Sequence, residues 1–283
     1  MDNKKRILES PYFILVIVIV TILFGLMIVD QITKSKDDTE IPEQEEIIEI
    51  IPYTNYDWNK LTRDNNYYKY EDENYYSMFG IDVAAHQETI DWKKVKEAGV
   101  EFAYIRLGYR GCDEGLLHTD LEFENNYKGA IDNGIKVGVY WYSQPVNEEE
   151  VIEEANYVID VLNGRHLDLP IAYDFEETVL GDGTISRMHD MSKEDRTKMA
   201  VTFCNEIIKN HQNVMIYTNL DWIDNYYSMS ELSEYPIWYA QYTDIPQYTG
   251  PIKIWQYAEY GYVNGIETST DLDIMFIQKN NQN

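Results

Sequence analysis

The sequence predicts an α/β fold, an irregular (β/α) TIM-like barrel that follows an N-terminal transmembrane helix and an acidic stalk. Three observations support this prediction. An uncharged apolar run occupies residues 11–29, and a stretch rich in carboxylates comes after it. From residue 79 onward, short apolar runs alternate with amphipathic segments of roughly 10 to 15 residues, which is typical of parallel strands connected by helices.

The first element is the apolar run PYFILVIVIVTILFGLMIV, residues 11–29. As a helix that rises roughly 1.5 Å per residue, it spans about 28 Å, close to the hydrocarbon core of a bilayer. Lys4, Lys5 and Arg6 precede it, which predicts a cytoplasmic tail at residues 1–10 and an outward-facing remainder. A cleaved signal peptide is the competing interpretation, but the run is long and no small-x-small cleavage site follows. We therefore predict a single-pass protein of the cell membrane.

Residues 30–76 form the predicted extracellular stalk. Residues 37–50 carry seven carboxylates and no basic residue, so charge repulsion keeps this part extended. Residues 53–76 are rich in Tyr, Asn and Asp and show little apolar periodicity. This section either continues the stalk or packs on the domain predicted over residues 77–283, and the sequence leaves both open.

Strands and helices alternate within residues 77–283. The predicted strands are FGIDV (79–83), FAYIRLG (102–108), IKVGVYWYS (135–143), LPIAYDFE (169–176), VMIYTN (214–219), PIWYAQY (236–242), IKIWQYA (252–258) and LDIMFI (272–277). The predicted helices are 92–98 and 121–133, which Gly99 and Gly134 end, then 147–162, which Asn147 caps, and 192–209. Helices become sparse after Tyr227, so the last third of the barrel is predicted to be irregular. In such barrels, reactive groups lie at the C-terminal ends of the strands.

Composition excludes several classes of function. A net charge of -27 argues against nucleic acid as a partner. Two cysteines, Cys112 and Cys204, are too few for a framework of several disulfides. The sequence is compatible with a single bridge between them or with two free thiols. The five histidines form no metal-binding motif, so no metal or other cofactor is predicted and a zinc amidase is disfavoured. The 25 Tyr and 6 Trp residues suit an open carbohydrate groove, or ordinary core packing for any single ring.

Carboxylates lie next to several predicted strands. Asp82 ends one strand, Asp174 and Glu176 end another, and Asp271 precedes the last. Because one residue separates Asp174 from Glu176, both face the same side of an extended chain. Two acids in one pocket raise the pKa of one of them, and glycoside cleavage requires such a pair of one protonated acid and one carboxylate. Acids at strand ends also cap helices, so the D-x-E tripeptide alone does not decide whether these acids are catalytic.

Longer motifs are more specific to one protein family than this tripeptide is. GIDVAAHQETIDWKKVKEAGVEFAYIRLGYR (80–110) and HTDLEFENNYKGAIDNGIKVGVYWYS (118–143) resemble the opening segments of glycoside hydrolase family 25 lysozymes. The D-x-E motif at 174–176, then IYTN (216–219), IWYAQY (237–242), IWQY (254–257) and a closing D-L-D follow in the family order. Two departures occur: Asp273 stands where the family usually has Asn, and VYWY (139–142) replaces its more common Tyr-His-Phe pattern.

The resemblance implies hydrolysis of the β-1,4 bond between N-acetylmuramic acid and N-acetylglucosamine in peptidoglycan glycan strands. It implies Glu176 as the general acid, with Asp174 as nucleophile or as orienter of the substrate's acetamido group. Asp82 and Asp271 would position substrate and tune this pair. The candidate sugar-contacting residues are Tyr140, Tyr142, Tyr217, Trp238, Gln241 and Trp255. Arg106 either neutralises a rim acid or forms a structural ion pair.

One alternative function belongs to another class, a peptidoglycan-binding protein that kept the groove and lost turnover. A chitinase-like enzyme is disfavoured because the run D-x-x-D-x-D-x-E is missing before Glu176. The predicted anchor at residues 11–29 favours a local role in the wall, around membrane-bound assembly partners that the sequence does not identify.

Overall fold

The computed structural model describes residues 56–279, which contain eleven strands and four α-helices. The strands are β1 (Leu61–Asp64), β2 (Tyr67–Tyr70), β3 (Tyr75–Val83), β4 (Phe102–Arg110), β5 (Leu117–Thr119), β6 (Lys136–Ser143), β7 (Ile171–Phe175), β8 (Val214–Asn219), β9 (Ile237–Ala240), β10 (Ile254–Gly261) and β11 (Thr270–Gln278). The helices are α1 (Trp92–Glu97), α2 (Phe123–Asp132), α3 (Glu148–Leu162) and α4 (Lys193–Lys209). Short 3₁₀ turns lie at Trp58–Lys60 and Ala85–Gln87, and a π-helical turn lies at Trp222–Tyr226.

Eight of the described strands close into a barrel. Their order is β3-β11-β10-β9-β8-β7-β6-β4, and β4 pairs with β3 to complete the ring. Around this ring each strand from β4 to β10 runs parallel to the next, and β3 runs parallel to β4. β11 runs antiparallel to both of its neighbours, and β5 adds an antiparallel strand to the edge of β4. The barrel is therefore mixed.

Side chains point alternately to the two faces of each strand, and this alternation separates two apolar layers. Inward side chains such as Phe102, Tyr104 and Met215 fill the barrel floor. Outward side chains such as Ile105 and Val139 form the larger cluster, which also contains residues of the helices. Local signals begin those helices: Asn147 accepts a hydrogen bond from the Glu150 backbone N–H at 2.9 Å at the start of α3, as predicted.

The prediction of a (β/α) TIM-like barrel is wrong. The structure is an eight-stranded mixed barrel with few helices, because helices connect only the first half of the ring. The reason lies in the connections. A parallel return needs a crossover of roughly a dozen residues or more, whereas the chain from Gly261 to Thr270 is too short for one. β11 must therefore turn back against β10 as an antiparallel strand.

The Tyr-rich section before the barrel packs on it. β1 and β2 form an antiparallel hairpin, and β3 already begins at Tyr75. Tyr56 stacks on Phe276 with ring centroids 4.1 Å apart, and Tyr70 contacts the same ring edge-on at 5.5 Å. Residues 56–76 thus share the compact unit of the barrel, which answers the question that the sequence left open.

The predicted transmembrane helix at residues 11–29 and the stalk up to residue 55 lie outside the described residues. Within residues 56–279, no helix has the length and apolar character that crossing a bilayer requires.

Candidate active site

Five carboxyl groups meet at the mouth of the barrel, where the parallel strands end. Asp82 ends β3, Asp174 lies in β7, and Glu176 follows it directly. Asp271 and Asp273 belong to β11, and Asp271 is the direct partner of Asp82 across the β3–β11 pair. Strand alternation brings Asp174 and Glu176 to the same side, since Phe175 between them lies in the outer apolar layer. The mouth therefore concentrates acidic groups, which cannot all ionise together.

The Glu176 carboxyl is suited to exchange a proton near neutral pH. Burial, and then the charge of Asp82, raises its pKa to about 7. Its carboxyl has neither a hydrogen bond nor an ion pair among the described residues, while its backbone carbonyl accepts a 2.7 Å hydrogen bond from Gln144 Nε2. The backbone is thus held while the carboxyl stays free to contact a ligand.

Asp174 lies deeper than Glu176. The residue is 6% exposed, and its Oδ1 has no hydrogen-bond partner within residues 56–279. Burial raises the pKa of Asp174 well above its ordinary value, the charges of Glu176 and Asp82 raise it further, and Arg106 opposes them. A buried carboxyl oxygen without a partner is costly unless a ligand contacts it.

The other three acids form a connected group. Asp271 lies opposite Asp82 across the β3–β11 pair, and Asp273 follows two residues later on β11. Burial, followed by the charge of Asp82, raises the pKa of Asp271 to about 10 and that of Asp273 well above its ordinary value. Neighbouring carboxylates repel one another, so protons on some members of the group are favoured. Asp82 also accepts a 2.8 Å hydrogen bond from Gln256 Nε2.

Arg106 is the cation beside these acids. Its Nε donates to Asp120 Oδ2 at 2.7 Å, and the Asp120 side chain is almost fully buried. Arg106 therefore makes a structural ion pair, and it also lowers the pKa of Asp174 through its charge. Of the two interpretations left open by the sequence, the geometry shows the ion pair.

Three of the predicted sugar-contacting tyrosines line the mouth. Burial raises the pKa of Tyr140, Tyr142 and Tyr217, and all three lie close enough to Asp174 for its charge to add to the effect. Tyr217 and Gln241 also line a cavity of ≈ 320 Å³ that reaches Glu176. The same cavity contains Tyr242, which the sequence analysis did not select.

The two predicted tryptophans lie elsewhere. Trp238 is buried in the barrel floor, where its Nε1 donates to Asp273 Oδ1 at 2.8 Å. Trp255 points outward and packs against Trp58 and Tyr68, with ring centroids 6.2 and 5.3 Å away. The structure does not bring Trp255 to the mouth, because the residue that faces inward at this point of β10 is its neighbour Gln256.

Gln256 is the residue that sequence reasoning missed. Its Oε1 accepts hydrogen bonds from Tyr217 Oη and Tyr242 Oη, both at 3.0 Å, while its Nε2 donates to Asp82. One amide thus links two rings of the cavity to the acid group. The signal was present, since Gln256 lies in the IWQY motif one position from the chosen Trp255. No three His, Cys, Asp or Glu side chains in the described part of the chain are arranged to hold a metal ion.

Comparison with known proteins agrees with this fold and this acid-lined mouth. Residues 81–266 match Glycosyl hydrolases family 25. The chain belongs to this family. The match includes Asp82, Asp174 and Glu176, and it ends before Asp271 and Asp273. The resemblance stated from the sequence is thereby confirmed.

Named relatives support the family 25 assignment. The autolytic lysozyme of Clostridium acetobutylicum is 31% identical over 197 residues, which are 69% of this chain and 55% of that protein. Lysozyme M1 of Streptomyces globisporus is 28% identical over 208 residues, 68% of this chain and 65% of that protein. The chain thus spans less than two thirds of the length of either relative.

A solved structure shares the fold of this family 25 chain. The modular autolysin LytC of Streptococcus pneumoniae, in complex with a synthetic peptidoglycan ligand, superposes with a TM-score of 0.66 at 22% identity. The match covers 77% of this chain and 52% of LytC. At this identity, the similarity is evidence for the fold alone.

Proposed function

We propose that the protein is a muramidase, a lysozyme that hydrolyses the β-1,4 bond between N-acetylmuramic acid and N-acetylglucosamine in peptidoglycan. Family 25 membership and the two lysozyme relatives support this reaction class. The observation that carries the proposal is the pair at the end of β7. Glu176 has a pKa raised to about 7 and a carboxyl without a protein partner, next to a buried Asp174.

Glu176 acts as the general acid in this proposal. Its proton passes to the glycosidic oxygen as the bond from that oxygen to the anomeric carbon breaks, and the leaving sugar departs as an alcohol. Positive charge grows on the sugar ring in the transition state. Asp174, in the ionised form that the charge of Arg106 favours, stabilises it, either by bonding to the anomeric carbon or by orienting the substrate's acetamido oxygen to do so. Water then adds at that carbon and returns the proton to Glu176.

The remaining groups of the mouth position the substrate. Asp82 raises the pKa of both acids of the pair through its charge, and Asp271, its partner across the β3–β11 pair, helps to position the substrate. Tyr140, Tyr142, Tyr217 and Gln241 offer rings and an amide to the sugars. The positive charge of Arg106 compensates part of the negative charge of ionised Asp174.

Digestion of purified, N-acetylated peptidoglycan by the full chain tests the proposal. We expect muropeptides that end in reducing muramic acid, and a loss of about 10² to 10⁴ in rate for Glu176→Gln, since the amide cannot donate the required proton. Glu177→Gln is the matched control, because that neighbouring carboxylate pairs with Arg196 at 2.6 Å instead. Circular dichroism checks that both variants fold.

Two results would contradict the muramidase proposal. Reducing glucosamine ends would indicate cleavage of the other glycosidic bond. No product across acidic to neutral pH, with binding to the wall retained, would favour the alternative of a peptidoglycan-binding protein without turnover.

We also propose that the protein is a single-pass membrane protein whose N-terminus is cytoplasmic and whose barrel is extracellular. The apolar run at residues 11–29, with Lys4, Lys5 and Arg6 before it, supports this proposal. Anchoring favours local opening of the wall around a membrane-bound assembly. Membrane fractionation with N-terminal sequencing tests it: protein found mainly in the medium, beginning beyond Val29, would show a cleaved signal peptide.

A further inference from the structure

A second cavity, of ≈ 380 Å³, lies beside the mouth of the barrel. The β1–β2 hairpin supplies one wall through Arg63, Asn66 and Tyr68, and the C-terminal part of β10 supplies another through Tyr260. The chain after β9 completes the cavity with Tyr242 and Asp244. Its volume is in the range of small-molecule sites, and it is built from aromatic rings and polar groups, the lining that carbohydrate requires.

This cavity continues the proposed catalytic groove. Tyr242 lines both cavities, the one that reaches Glu176 and the one beside the hairpin. Its hydroxyl donates to Gln256 Oε1 at 3.0 Å, so the ring is held by the same amide that contacts Asp82. The ring remains 47% exposed. A chain of sugars that leaves the mouth past Tyr242 would therefore enter the second cavity.

The hairpin is fixed to the barrel at this cavity. Tyr68 Oη donates to Asp244 Oδ1 at 3.1 Å, and Tyr67 Oη donates to the Tyr262 carbonyl at 3.1 Å. Arg63 lies 5.2 Å over the Tyr68 ring and 3.6 Å from Asp244, with half of its side chain still exposed. The family match begins at residue 81, so this wall of the cavity lies outside the matched residues.

We propose that the second cavity is an accessory subsite that binds an N-acetylated amino sugar of the glycan, beyond the sugars at the cleaved bond. Tyr260 and Tyr242 present ring faces to the sugar, and Arg63, Asn66 and Asp244 present hydrogen-bonding groups to its hydroxyls and acetamido group. A neutral sugar suits the site better than an acidic stem peptide, since Asp244 lies 3.6 Å from Arg63 and the chain carries a net charge of -27. The inference rests on the proposed muramidase function.

The test measures binding of peptide-free glycans to the full chain carrying Glu176→Gln, which prevents turnover. Isothermal titration calorimetry compares a tetrasaccharide with an octasaccharide of alternating N-acetylglucosamine and N-acetylmuramic acid. Tyr260→Ala and Arg63→Ala are added separately to this background. Tyr262→Ala is the matched control, because Tyr262 is an exposed ring of the same segment that lies outside the cavity, and its carbonyl remains. Tyr260 is 77% exposed, so its truncation leaves the core intact.

We expect the octasaccharide to bind more tightly than the tetrasaccharide. Tyr260→Ala and Arg63→Ala should each weaken octasaccharide binding about fivefold, the effect of losing one ring or polar contact, and leave tetrasaccharide binding unchanged. Tyr262→Ala should change neither. Equal binding of both glycans, an unaltered octasaccharide affinity in Tyr260→Ala, or a length dependence seen only when stem peptides are present would overturn the subsite while the muramidase proposal stands. Failure of both glycans to bind, together with an inactive wild type, would overturn both proposals.

Discussion

Neighbouring carboxylates acquire opposite acidities at the end of β7. Burial and the charge of Asp82 raise the pKa of Glu176 to about 7, whereas Arg196 and His189, working against burial, hold the pKa of Glu177 below its usual range. Both residues are glutamates, and they differ in the direction in which their side chains point. One faces the acid-lined mouth, and the other faces a buried arginine of α4. The direction of each side chain, and not its residue type, sets the sign of its pKa shift.

The pH dependence of the proposed reaction should follow Glu176. Because the acid must carry a proton, kcat/KM should fall as pH rises through about 7, its raised pKa. Asp82→Asn removes a negative neighbour and lowers that pKa, so the alkaline limb should move to lower pH whatever happens to the maximal rate. Asp160→Asn, an exposed change on α3, is the control. If the alkaline limb of the kcat/KM profile stays at the same pH in Asp82→Asn, a group other than Glu176 sets this limb.

Asp273 should make the stability of the fold depend on pH. Burial holds its pKa well above the ordinary value, so the folded protein keeps a proton that the unfolded chain loses above about pH 4. The stability linked to this group is therefore present below that pH and declines as pH rises. Asp273→Asn cannot ionise and can still accept from Trp238 Nε1. Its Tm should exceed that of wild type by more at about pH 8 than at about pH 4.

Differential scanning calorimetry at the two pH values measures the effect of Asp273→Asn. Asp273→Leu, which also loses the 2.8 Å hydrogen bond from Trp238, separates the loss of charge from the loss of that bond. An equal change at both pH values, or a lower Tm of Asp273→Asn at the higher one, would contradict a protonated Asp273 in the folded protein.

At the scale of elements, buried polar contacts join α3 to the barrel. Arg110 of β4 donates through Nε to Glu154 Oε1 at 2.7 Å and through Nη1 to the Gly115 carbonyl at 2.7 Å. Ser143 of β6 also donates to Glu154. Burial raises the pKa of Glu154 to about 7, with Ser143 and Arg110 opposing the shift. This network orients α3 against the strands that carry the tyrosines of the mouth.

Arg110→Met should destabilise the fold by about 3–5 kcal/mol in urea unfolding, because it leaves a buried carboxylate without its cation. Adding Glu154→Leu should recover part of that loss, since both buried charges are then gone. Lys198→Met, which breaks an exposed 2.7 Å pair with Glu148, is the control and should cost less than about 1 kcal/mol. A double variant no more stable than Arg110→Met would show that the ion pair itself contributes net stability.

The hairpin should also contribute to stability through its aromatic rings. Tyr70 of β2 is fully buried and contacts Tyr56, Trp58 and Phe276. Tyr70→Ala should therefore reduce the free energy of unfolding by about 3–5 kcal/mol, as other truncations of large buried rings do. Tyr76→Ala, at a ring that is 39% exposed, should have a much smaller effect. Equal effects of the two substitutions would mean that the hairpin packs only loosely on the barrel.

At the scale of the whole molecule, charge should govern the approach to the wall. The chain carries -27, and peptidoglycan stem peptides bear carboxylates of their own. The Debye length, over which salt screens charges, falls from about 30 Å at 0.01 M salt to about 8 Å at 0.15 M. We therefore expect kcat/KM on intact peptidoglycan to rise over this range, and to stay constant on a neutral oligosaccharide. A fall on the intact wall would mean that attraction, and not repulsion, dominates the encounter.

Much of the barrel could be predicted from the sequence. Every apolar run chosen as a strand overlaps a strand of the ring, since runs such as 102–108 and 214–219 alternate inward and outward within a buried sheet. The direction of β11 could not be read in this way, because strand patterns do not encode whether a neighbour runs parallel or antiparallel. Short strands without an apolar pattern, β1, β2 and β5, were missed for the same lack of signal.

The sequence by itself determined the family and the acids near the strand ends, because D-x-E spacing and motif order are properties of the linear chain. Only the tertiary structure decided which side chains share the mouth. It put Gln256 inside and Trp255 outside, paired Arg106 with Asp120, and folded the hairpin against β10 beside a second cavity. Barrel closure is the physical reason: distant residues become neighbours through strand register, and a shift of one position reverses the face on which a side chain lies.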